Sequence, residues 1–183
     1  MLYIMRHGKT DWNVEFKLQG RTDTNLNDEG IQMAKDAAIE YKDVHFDVCY
    51  CSPLTRARKT AELVLEGRDV PIITDDRLIE MGFGVYEGES RIYERDESDP
   101  MRVFFFHPEE YKTVEGGESL DELFERTGEF LKEVVCPLLE TGKDVLIVGH
   151  GAMNSAIVTQ VKGRTRKDFW AEGIPNCKLM QLL

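Results

Sequence analysis

Apolar runs and helical repeats alternate along most of the chain. Five apolar runs have the length of a buried strand, and they cover residues 2–5, 46–51, 70–74, 145–149 and 177–182. Helical patterns lie between most of these runs, over about residues 28–41, 54–65 and 120–139, and a shorter one begins near residue 152. This alternation predicts an α/β fold of three layers, α/β/α, with a mostly parallel central sheet covered by helices on both faces.

Local signals support the first two of these helices. In the first, Ile31, Ala34 and Ala38 recur at the spacing that gathers apolar side chains on one face. The second follows Ser52-Pro53, and proline at the first helical position is a common helix start. The first turn of this second helix is therefore expected at the edge of the sheet.

The stretch from about residue 86 to 118 breaks the alternation. It carries ten Asp or Glu residues against four Arg or Lys, and it also contains the aromatic run Phe104-Phe105-Phe106. We expect one domain over residues 1–183, with this stretch as an insertion over the sheet edge. A solvated surface excursion and a cap over a substrate pocket are both open interpretations. The aromatic run hints at an apolar or ring-bearing substrate group.

Composition and charge narrow the possible partners. At 183 residues, with 42% hydrophobic and 31% charged residues, the chain has the make-up of an ordinary folded domain. Its formal net charge of −11 argues against general binding to nucleic acids or anionic membranes, both of which need an excess of Lys and Arg. The N-terminus lacks the features of a signal peptide, and no apolar run approaches the ~18 residues of a membrane span. We expect a cytoplasmic protein that binds neither nucleic acid nor membrane.

The cysteines do not indicate a metal site or a disulfide framework. Cys49 and Cys51 are expected on one strand, Cys136 falls in a helical stretch and Cys177 in a strand-like one. No C-x-x-C spacing occurs. The four are interpreted as small buried residues in a reducing compartment.

Four polar motifs stand where predicted strands end, and most of them precede a helix. They are Arg6-His7-Gly8, Ser52-Pro53-Leu54-Thr55-Arg56-Ala57, Glu80-Met81-Gly82-Phe83-Gly84 and Gly149-His150-Gly151. In a parallel sheet the turns from strand to helix lie along one edge, so the motifs converge in space. Together they supply two histidines, two arginines and a carboxylate, a set that suits a phosphate monoester.

Each of these side chains can contribute to the binding or cleavage of a phosphate monoester. Arg6 and Arg56 can hold a phosphate dianion through their planar forks. His7 can attack phosphorus through a neutral ring nitrogen, with its pKa lowered by the arginines and its other nitrogen held by a backbone carbonyl. His150 can donate to a phosphoryl oxygen. Glu80 can protonate the leaving alkoxide, if partial burial raises its pKa, and then activate water.

The blocks R-H-G, S-P-L-x-R-A, E-x-x-x-G and G-H-G resemble, in order and separation, the histidine phosphatase superfamily, in its phosphoglycerate-mutase-like branch. The resemblance spans almost the whole chain. It implies that His7 is the phosphorylated nucleophile, that Arg6, Arg56 and His150 complete the phosphate pocket, and that Glu80 is the proton donor. It also implies substrate-binding roles for Asn13, Gly20, Arg21, Gly151 and Ala152. No metal or organic cofactor is implied.

Some positions depart from the family pattern or leave choices open. Lys9 follows R-H-G where many relatives carry Glu or Gln, and Ser155 stands where they often carry Arg, which leaves the rim of the pocket undetermined. The segment 78–88 resembles the phosphatase version of its motif more than the mutase version. Other carboxylates near Glu80 in the sequence remain candidates for the proton donor, namely Asp75, Asp76, Glu87 and Glu89.

The interpretation that we favour is that the protein is a histidine acid phosphatase-type phosphoric monoester hydrolase. It would be metal-independent, act through phosphohistidine and use a small phosphorylated metabolite. A 2,3-bisphosphoglycerate-dependent phosphoglycerate mutase is the first alternative, because it shares every core residue. An inactive protein of the same fold that binds a phosphorylated ligand is the second. The physiological substrate and the oligomeric state are left open.

Overall fold

The computed structural model describes all 183 residues, and its centre is one five-stranded sheet. The strands are β1 (Leu2–Arg6), β2 (Val48–Cys51), β3 (Ile72–Thr74), β4 (Val145–Gly149) and β5 (Leu179–Gln181). Their order in the sheet is β3-β2-β4-β1-β5. The first four strands run parallel to one another, and β5 runs antiparallel to its neighbour β1. The predicted α/β fold with a mostly parallel sheet is confirmed.

Seven α-helices accompany the sheet. They are α1 (Asp11–Val14), α2 (Asp28–Glu40), α3 (Thr55–Val64), α4 (Pro100–Phe106), α5 (Leu120–Phe130), α6 (Cys136–Glu140) and α7 (Gly151–Val161). Single 3₁₀ turns lie at Asp76–Leu78, Gly84–Tyr86, Ile92–Glu94, Pro108–Glu110 and Arg166–Asp168. No helix is both long enough and apolar enough to cross a bilayer.

The core is divided between the two faces of the sheet. Along β4, Leu146 packs with the cluster that includes Ala34 of α2 and Ala61 of α3. The adjacent Ile147 packs with the opposite cluster, which includes residues of α5 and α7 such as Ala156. Successive side chains of a strand point to opposite faces, so a strand covered on both sides reads as one apolar run. This accounts for the uninterrupted apolar sequence of β4.

The third predicted helix, over residues 120–139, is present but not uniform. A π-helical turn at Leu131–Val135 separates α5 from α6. Pro137 follows this turn; it has no N–H to donate, and its ring crowds the carbonyl of the preceding turn. The local widening is the expected accommodation.

The prediction that all four cysteines are buried is wrong for one of them. Cys136 begins α6 and is exposed, whereas Cys49, Cys51 and Cys177 are buried. Cys177 also lies just before β5, with a φ of 54°, and not within the strand. The difference at Cys136 concerns the exposure of its side chain and the difference at Cys177 concerns where the strand begins, and apolar character alone determines neither.

The stretch of residues 86–118 contains α4, which the sequence analysis did not predict; Pro100 is the first residue of this helix, a position where proline is tolerated. Asp99 caps α4 by accepting hydrogen bonds from the N–H groups of Met101 and Arg102. Phe104 of α4 is fully buried, and its ring lies 5.3 Å from that of Trp170, centroid to centroid. The stretch therefore packs against the segment that precedes β5.

Candidate active site

The first and last polar motifs meet at the carboxyl ends of β1 and β4. Arg6 pairs with Gly149 in the sheet register, and the N–H of His7 donates to the carbonyl of Gly149 at 2.9 Å. The rings of His7 and His150 lie 5.2 Å apart between centroids. The adjacency of two parallel strands thus brings together two histidines that are 143 residues apart in the sequence (150 − 7).

The ring of His7 is oriented by its own neighbour. Its Nδ1 lies 2.7 Å from the carbonyl oxygen of Gly8, which can only accept, so Nδ1 carries the hydrogen and Nε2 keeps a lone pair. Burial, reinforced by the charges of Arg56 and Arg6, holds the pKa of His7 well below its usual value. The imidazole is therefore neutral at physiological pH, as a nucleophile requires.

Gly8 has a packing reason to be glycine. A Cβ atom at this position would lie 2.5 Å from the carbonyl oxygen of Gly30 in α2. The N–H of Gly8 also donates to Oγ1 of Thr60 in α3, at 3.0 Å. The turn that presents His7 is therefore pressed against two helices, which restricts the position of the ring.

His150 lies deeper than His7 and does not line the open pocket described below. It immediately precedes α7, and neither of its ring nitrogens has a hydrogen-bond partner within the protein. Burial, followed by the charge of Arg56, holds its pKa well below the usual value. Its ring is thus a neutral polar group beside His7.

Two guanidinium groups complete the cationic part of the site. Arg56, fully buried in the first turn of α3, donates from its two terminal nitrogens to the carbonyls of Thr22 (2.8 Å) and Gly20 (2.7 Å). Arg6 donates more weakly to the carbonyl of Ile174, at 3.4 Å. Burial lowers the pKa of both arginines and the charge of Glu80 opposes that shift, so both stay protonated at neutral pH.

The loop that holds Arg56 is itself held by Glu87. The carboxylate of Glu87 accepts from the backbone N–H groups of Arg21 and Thr22, both at 3.0 Å, and from the Thr22 hydroxyl at 2.6 Å. Gly20 has a φ of +54°, and a Cβ there would lie 2.1 Å from a Glu87 oxygen. Glycine at this position permits both the backbone conformation and the close approach of the carboxylate.

Glu80 lies beside the first turn of α7. Its carboxylate accepts hydrogen bonds from the backbone N–H groups of Met81 (2.8 Å), Met153 (2.9 Å) and Ala152 (3.2 Å). It is buried but still lines the pocket. The sequence analysis left four other carboxylates open as proton donors, and none of them lines the pocket: Asp75, Asp76, Glu87 and Glu89.

Glu118 supports the loop that carries Glu80. Its backbone N–H donates to the carbonyl of Gly82 at 2.9 Å, and its buried carboxylate pairs with Arg126 through two bonds of 2.7 and 3.0 Å. Arg126 donates in turn to the carbonyl of Arg77 at 2.6 Å. The sequence analysis did not single out Glu118 or Arg126, because two charges joined across a loop and a helix leave no local pattern.

These groups open into one pocket of about 530 Å³. We call the residues at its base, together with the buried histidine behind it, the inner end: Arg6, His7, Arg56, Glu80 and His150. Four ring-bearing residues nearer the mouth form what we call the aromatic wall: Tyr93, Phe105, Phe106 and Trp170. The sequence analysis noted the two phenylalanines but missed Tyr93 and Trp170, which belong to no motif.

The predicted substrate-binding residues divide into two groups. Asn13, Gly20, Gly151 and Ala152 line the pocket. Arg21 does not; its guanidinium lies behind the Glu80 loop, 3.4 Å from the carbonyl of Glu80 and 3.2 Å from the carboxylate of Glu118. The structure therefore places Arg21 against Glu118 and the backbone of the Glu80 loop, and not at the pocket surface.

One group of side chains has the spacing of a metal site, and it lies away from the pocket. It consists of His45, Asp47 and Asp144. Asp47 is paired with Lys143 at 2.9 Å and Asp144 with the N-terminal ammonium group at 2.6 Å. These residues precede β2 and β4, at the amino end of the parallel strands, whereas the pocket is at the carboxyl end. The inner end of the pocket, in contrast, contains guanidinium, imidazole and carboxylate groups, which can bind and transfer a phosphoryl group.

Comparisons with known proteins identify the family of this chain. The family model of the histidine phosphatase superfamily (branch 1) matches residues 2–183. The "Uncharacterized phosphatase PhoE" of Bacillus subtilis is 35% identical over 160 residues, which cover 87% of this chain and 76% of the relative. A 2,3-bisphosphoglycerate-dependent phosphoglycerate mutase of Methylobacterium sp. is 32% identical over 184 residues, 98% of this chain and 86% of the relative.

Superposition on a solved structure shows that the fold is shared with a known protein. Bacillus stearothermophilus YhfR superposes with a TM-score of 0.86 at 30% identity, over 97% of this chain and 88% of that one. The family match covers nearly the whole sequence, and the four motifs that carry the resemblance meet in one pocket. The chain belongs to the histidine phosphatase superfamily (branch 1).

Proposed function

We propose that the protein is a metal-independent phosphomonoesterase that forms a phosphohistidine on His7. One observation carries the proposal: Nδ1 of His7 is hydrogen-bonded to a backbone carbonyl, which leaves a neutral Nε2 with its lone pair in a site that also holds the guanidinium groups of buried Arg56 and partly buried Arg6. This arrangement holds a phosphate dianion and presents a nucleophile to it. The phosphatase-named relatives support the same reaction class.

In the first half-reaction, the Nε2 lone pair of His7 forms a bond to phosphorus while the bond from phosphorus to the ester oxygen breaks. The carboxyl group of Glu80 gives its proton to the departing alkoxide, so a neutral alcohol leaves. Arg6 and Arg56 neutralise the charge that builds on the phosphoryl oxygens. His150, directly beside His7, is the candidate donor to one of these oxygens.

In the second half-reaction, water replaces the alcohol. The Glu80 carboxylate accepts a proton from this water as its oxygen bonds to phosphorus and the bond to Nε2 breaks. Inorganic phosphate leaves, and His7 and Glu80 return to their starting states. The scheme is that of a histidine acid phosphatase-type hydrolase, and no step in it calls on a metal ion.

A phosphoglycerate mutase is the second candidate, because mutases are among the relatives of similar identity. A mutase must shield phosphohistidine from water until an acceptor hydroxyl arrives, whereas a phosphatase must admit water. Phe16 and Tyr93, at the pocket, are 77% and 56% exposed. Such an open mouth favours hydrolysis.

The proposal extends to the architecture and the partners of the site. Residues 1–183 act as one domain in which residues 86–118 are a cap insertion that supplies part of the aromatic wall. The substrate is a small phosphate monoester. Neither nucleic acid nor membrane is a partner, in keeping with the net charge of −11, and the compartment is the reducing cytoplasm.

The test measures phosphate release from p-nitrophenyl phosphate and a panel of metabolite monoesters with EDTA present. Wild type is compared with His7→Ala and with His45→Ala, a control at an exposed histidine away from the pocket. In parallel, 3-phosphoglycerate is supplied with 2,3-bisphosphoglycerate.

The proposal expects EDTA-resistant release that His7→Ala abolishes and His45→Ala preserves. It also expects labelled phosphate on a histidine when turnover of a labelled ester is stopped in alkaline denaturant, in wild type and His45→Ala but not in His7→Ala. Isomerisation of phosphoglycerate without phosphate release would establish the mutase instead. Ligand binding without turnover of any kind would establish the inactive binding protein.

A further inference from the structure

The aromatic wall is a preorganised apolar surface at the pocket mouth. Phe105 stacks on Trp170 with 5.3 Å between ring centroids and an interplanar angle of 25°. Tyr93 contacts Phe105 and Phe106 at centroid distances of 5.4 and 5.9 Å. Trp170 is anchored because its indole N–H donates to the carbonyl of Phe104 at 2.9 Å. The rings are therefore ordered by one another before any ligand arrives.

Folding leaves part of this wall uncovered. Tyr93 is 56% exposed and Phe106 is 54% exposed. Large apolar side chains gathered at the mouth of a pocket are typical of a binding surface, because a ligand that covers them removes apolar area from water. Aromatic rings favour partner rings in stacked or edge-on geometry. The wall thus suits a ring-bearing group on the ester oxygen.

Ser155 provides a polar contact in the same pocket. It lies on α7 one turn beyond Gly151 and Ala152, lines the pocket and is 2% exposed. Its Oγ is buried and has no hydrogen-bond partner within the protein. A buried hydroxyl without a partner is unfavourable, so a ligand that hydrogen-bonds to it gains affinity.

Charge in the outer part of the pocket disfavours a second anionic group. Lys9 and Lys17 are the cations that line the pocket outside the inner end, and each is paired with a carboxylate at 2.5 Å. Glu172 also lines the pocket, where Lys162 and Arg164 both donate to the same oxygen of its carboxylate. A carboxylate on the substrate would therefore find no unpaired cation in the outer part of the pocket.

We infer that the alcohol released by this enzyme is an uncharged, ring-bearing group that packs on the aromatic wall and hydrogen-bonds to Oγ of Ser155. This inference rests on the proposed phosphatase function and adds the substrate class to it. It separates the protein from enzymes for phosphoserine or phosphoglycerate, whose substrates carry a carboxylate next to the phosphate.

The first experiment compares phosphate esters of primary alcohols, whose leaving groups have similar basicity. The esters are 2-phenylethyl phosphate, its three ring-hydroxylated isomers, butyl phosphate and phosphoserine. The expected kcat/KM for 2-phenylethyl phosphate exceeds that for butyl phosphate by about tenfold, the scale of one aromatic contact. At least one hydroxylated isomer exceeds the parent ester, and phosphoserine is the poorest substrate.

Two pairs of variants assign the preference to residues. Phe106→Ala is expected to remove most of the advantage of the ring over butyl, and Ile39→Ala, at an exposed apolar residue of α2 outside the pocket, is expected to keep it. Ser155→Ala is expected to lower kcat/KM about tenfold for the best hydroxylated ester and to leave 2-phenylethyl phosphate unchanged. Ser98→Ala, at an exposed serine outside the pocket, is its control.

The outcomes separate the two proposals. If p-nitrophenyl phosphate is hydrolysed, three results would overturn this inference. They are equal kcat/KM for the ring-bearing and butyl esters, phosphoserine as the best substrate, and an equal loss of kcat/KM on every ester in Ser155→Ala. If neither p-nitrophenyl phosphate nor any other ester releases phosphate, the proposed function fails and this inference falls with it.

Discussion

The inner end and the aromatic wall share one pocket but are built differently. His7, Arg56 and Glu80 are 2%, 0% and 7% exposed, and they are held mainly by hydrogen bonds to the backbone. Tyr93 and Phe106 are about half exposed and contact other rings. Backbone contacts constrain a group in direction as well as distance, whereas ring contacts tolerate a range of angles. The same fold can therefore keep its chemistry while its selectivity varies.

The origin of the two regions in the chain explains this difference. Apart from Glu80, which lies in a loop between two 3₁₀ turns, the inner end comes from turns that follow parallel strands or begin helices, so the sheet determines where these turns meet. The aromatic wall comes from residues 86–118 and from the segment before β5. Neither segment belongs to the parallel strands, so strand pairing does not determine where the rings of the wall lie.

The largest effect we predict is on proton transfer at the inner end. Glu80→Gln keeps the shape of the side chain but cannot protonate an alkoxide. The expected loss in kcat/KM for an alkyl phosphate is about 10³- to 10⁴-fold. The loss for p-nitrophenyl phosphate is expected to be far smaller, because its leaving group departs without a proton and kcat/KM reports only the first half-reaction.

The matched control is Glu89→Gln, at a nearby carboxylate that pairs with Arg95 outside the pocket. Initial rates of phosphate release on both esters check the prediction. Equal losses on the alkyl and aryl esters in Glu80→Gln would remove Glu80 from the role of proton donor.

The second prediction concerns Phe104, the buried residue on which the aromatic wall packs. Phe104 is fully buried beneath the wall, with ring contacts to Phe83, Phe169 and Trp170. Phe104→Ala is expected to lower the free energy of unfolding by about 3–5 kcal/mol, because it removes a buried ring and leaves a cavity. Phe106→Ala, at a half-exposed position, should change it by less than about 1 kcal/mol.

Urea unfolding followed by circular dichroism measures both values. Similar losses of stability in the two variants would mean that Phe106 is part of the core, which would contradict the division between a buried foundation and an exposed binding surface.

The sequence predicted the inner end better than the wall for a physical reason. His7 and His150 stand at the ends of apolar runs, and parallel pairing of β1 with β4 is enough to bring them together. Trp170 is held at the pocket by stacking on Phe105 and by its hydrogen bond to the carbonyl of Phe104, contacts between distant segments that leave no periodic pattern in the sequence. Arg21 shows the opposite case: its position in a motif suggested the pocket surface, whereas its guanidinium lies against Glu118.

The third prediction uses the depressed pKa values of the two histidines. An unfolded histidine has a pKa of about 6.5, and burial holds the pKa of His7 and His150 well below that. Below pH 6.5 the unfolded chain therefore binds protons that the folded chain does not. The free energy of unfolding is expected to fall as pH falls, by up to about 1.4 kcal/mol per pH unit for each histidine, until the folded pKa is reached.

Unfolding midpoints between pH 7.5 and 5 check this slope. The double variant His7→Gln/His150→Gln should show a shallower dependence than wild type, and Phe106→Ala should show the wild-type dependence. An unchanged slope in the double variant would mean that the folded protein protonates its histidines as readily as the unfolded chain does.

The smallest effect we predict lies where the two regions join. Glu118 ends the stretch that supplies most of the aromatic wall, yet its contacts with Gly82 and Arg126 support the loop of Glu80. As a positioning residue, it should affect the rate of proton transfer and not the binding of the ester. Glu118→Gln is expected to lower kcat on an alkyl phosphate about tenfold, with KM within about twofold of wild type.

The matched control is Glu115→Gln, at an exposed carboxylate three residues away that should leave both constants unchanged. The ratio of kcat/KM for 2-phenylethyl and butyl phosphates should stay at its wild-type value in both variants. A loss of stability with kcat unchanged would reduce Glu118 to a purely structural role. A change in that ratio would show that the wall and the inner end are coupled through Glu118, because a shift of the Glu80 loop would then also move the surface on which the ring packs.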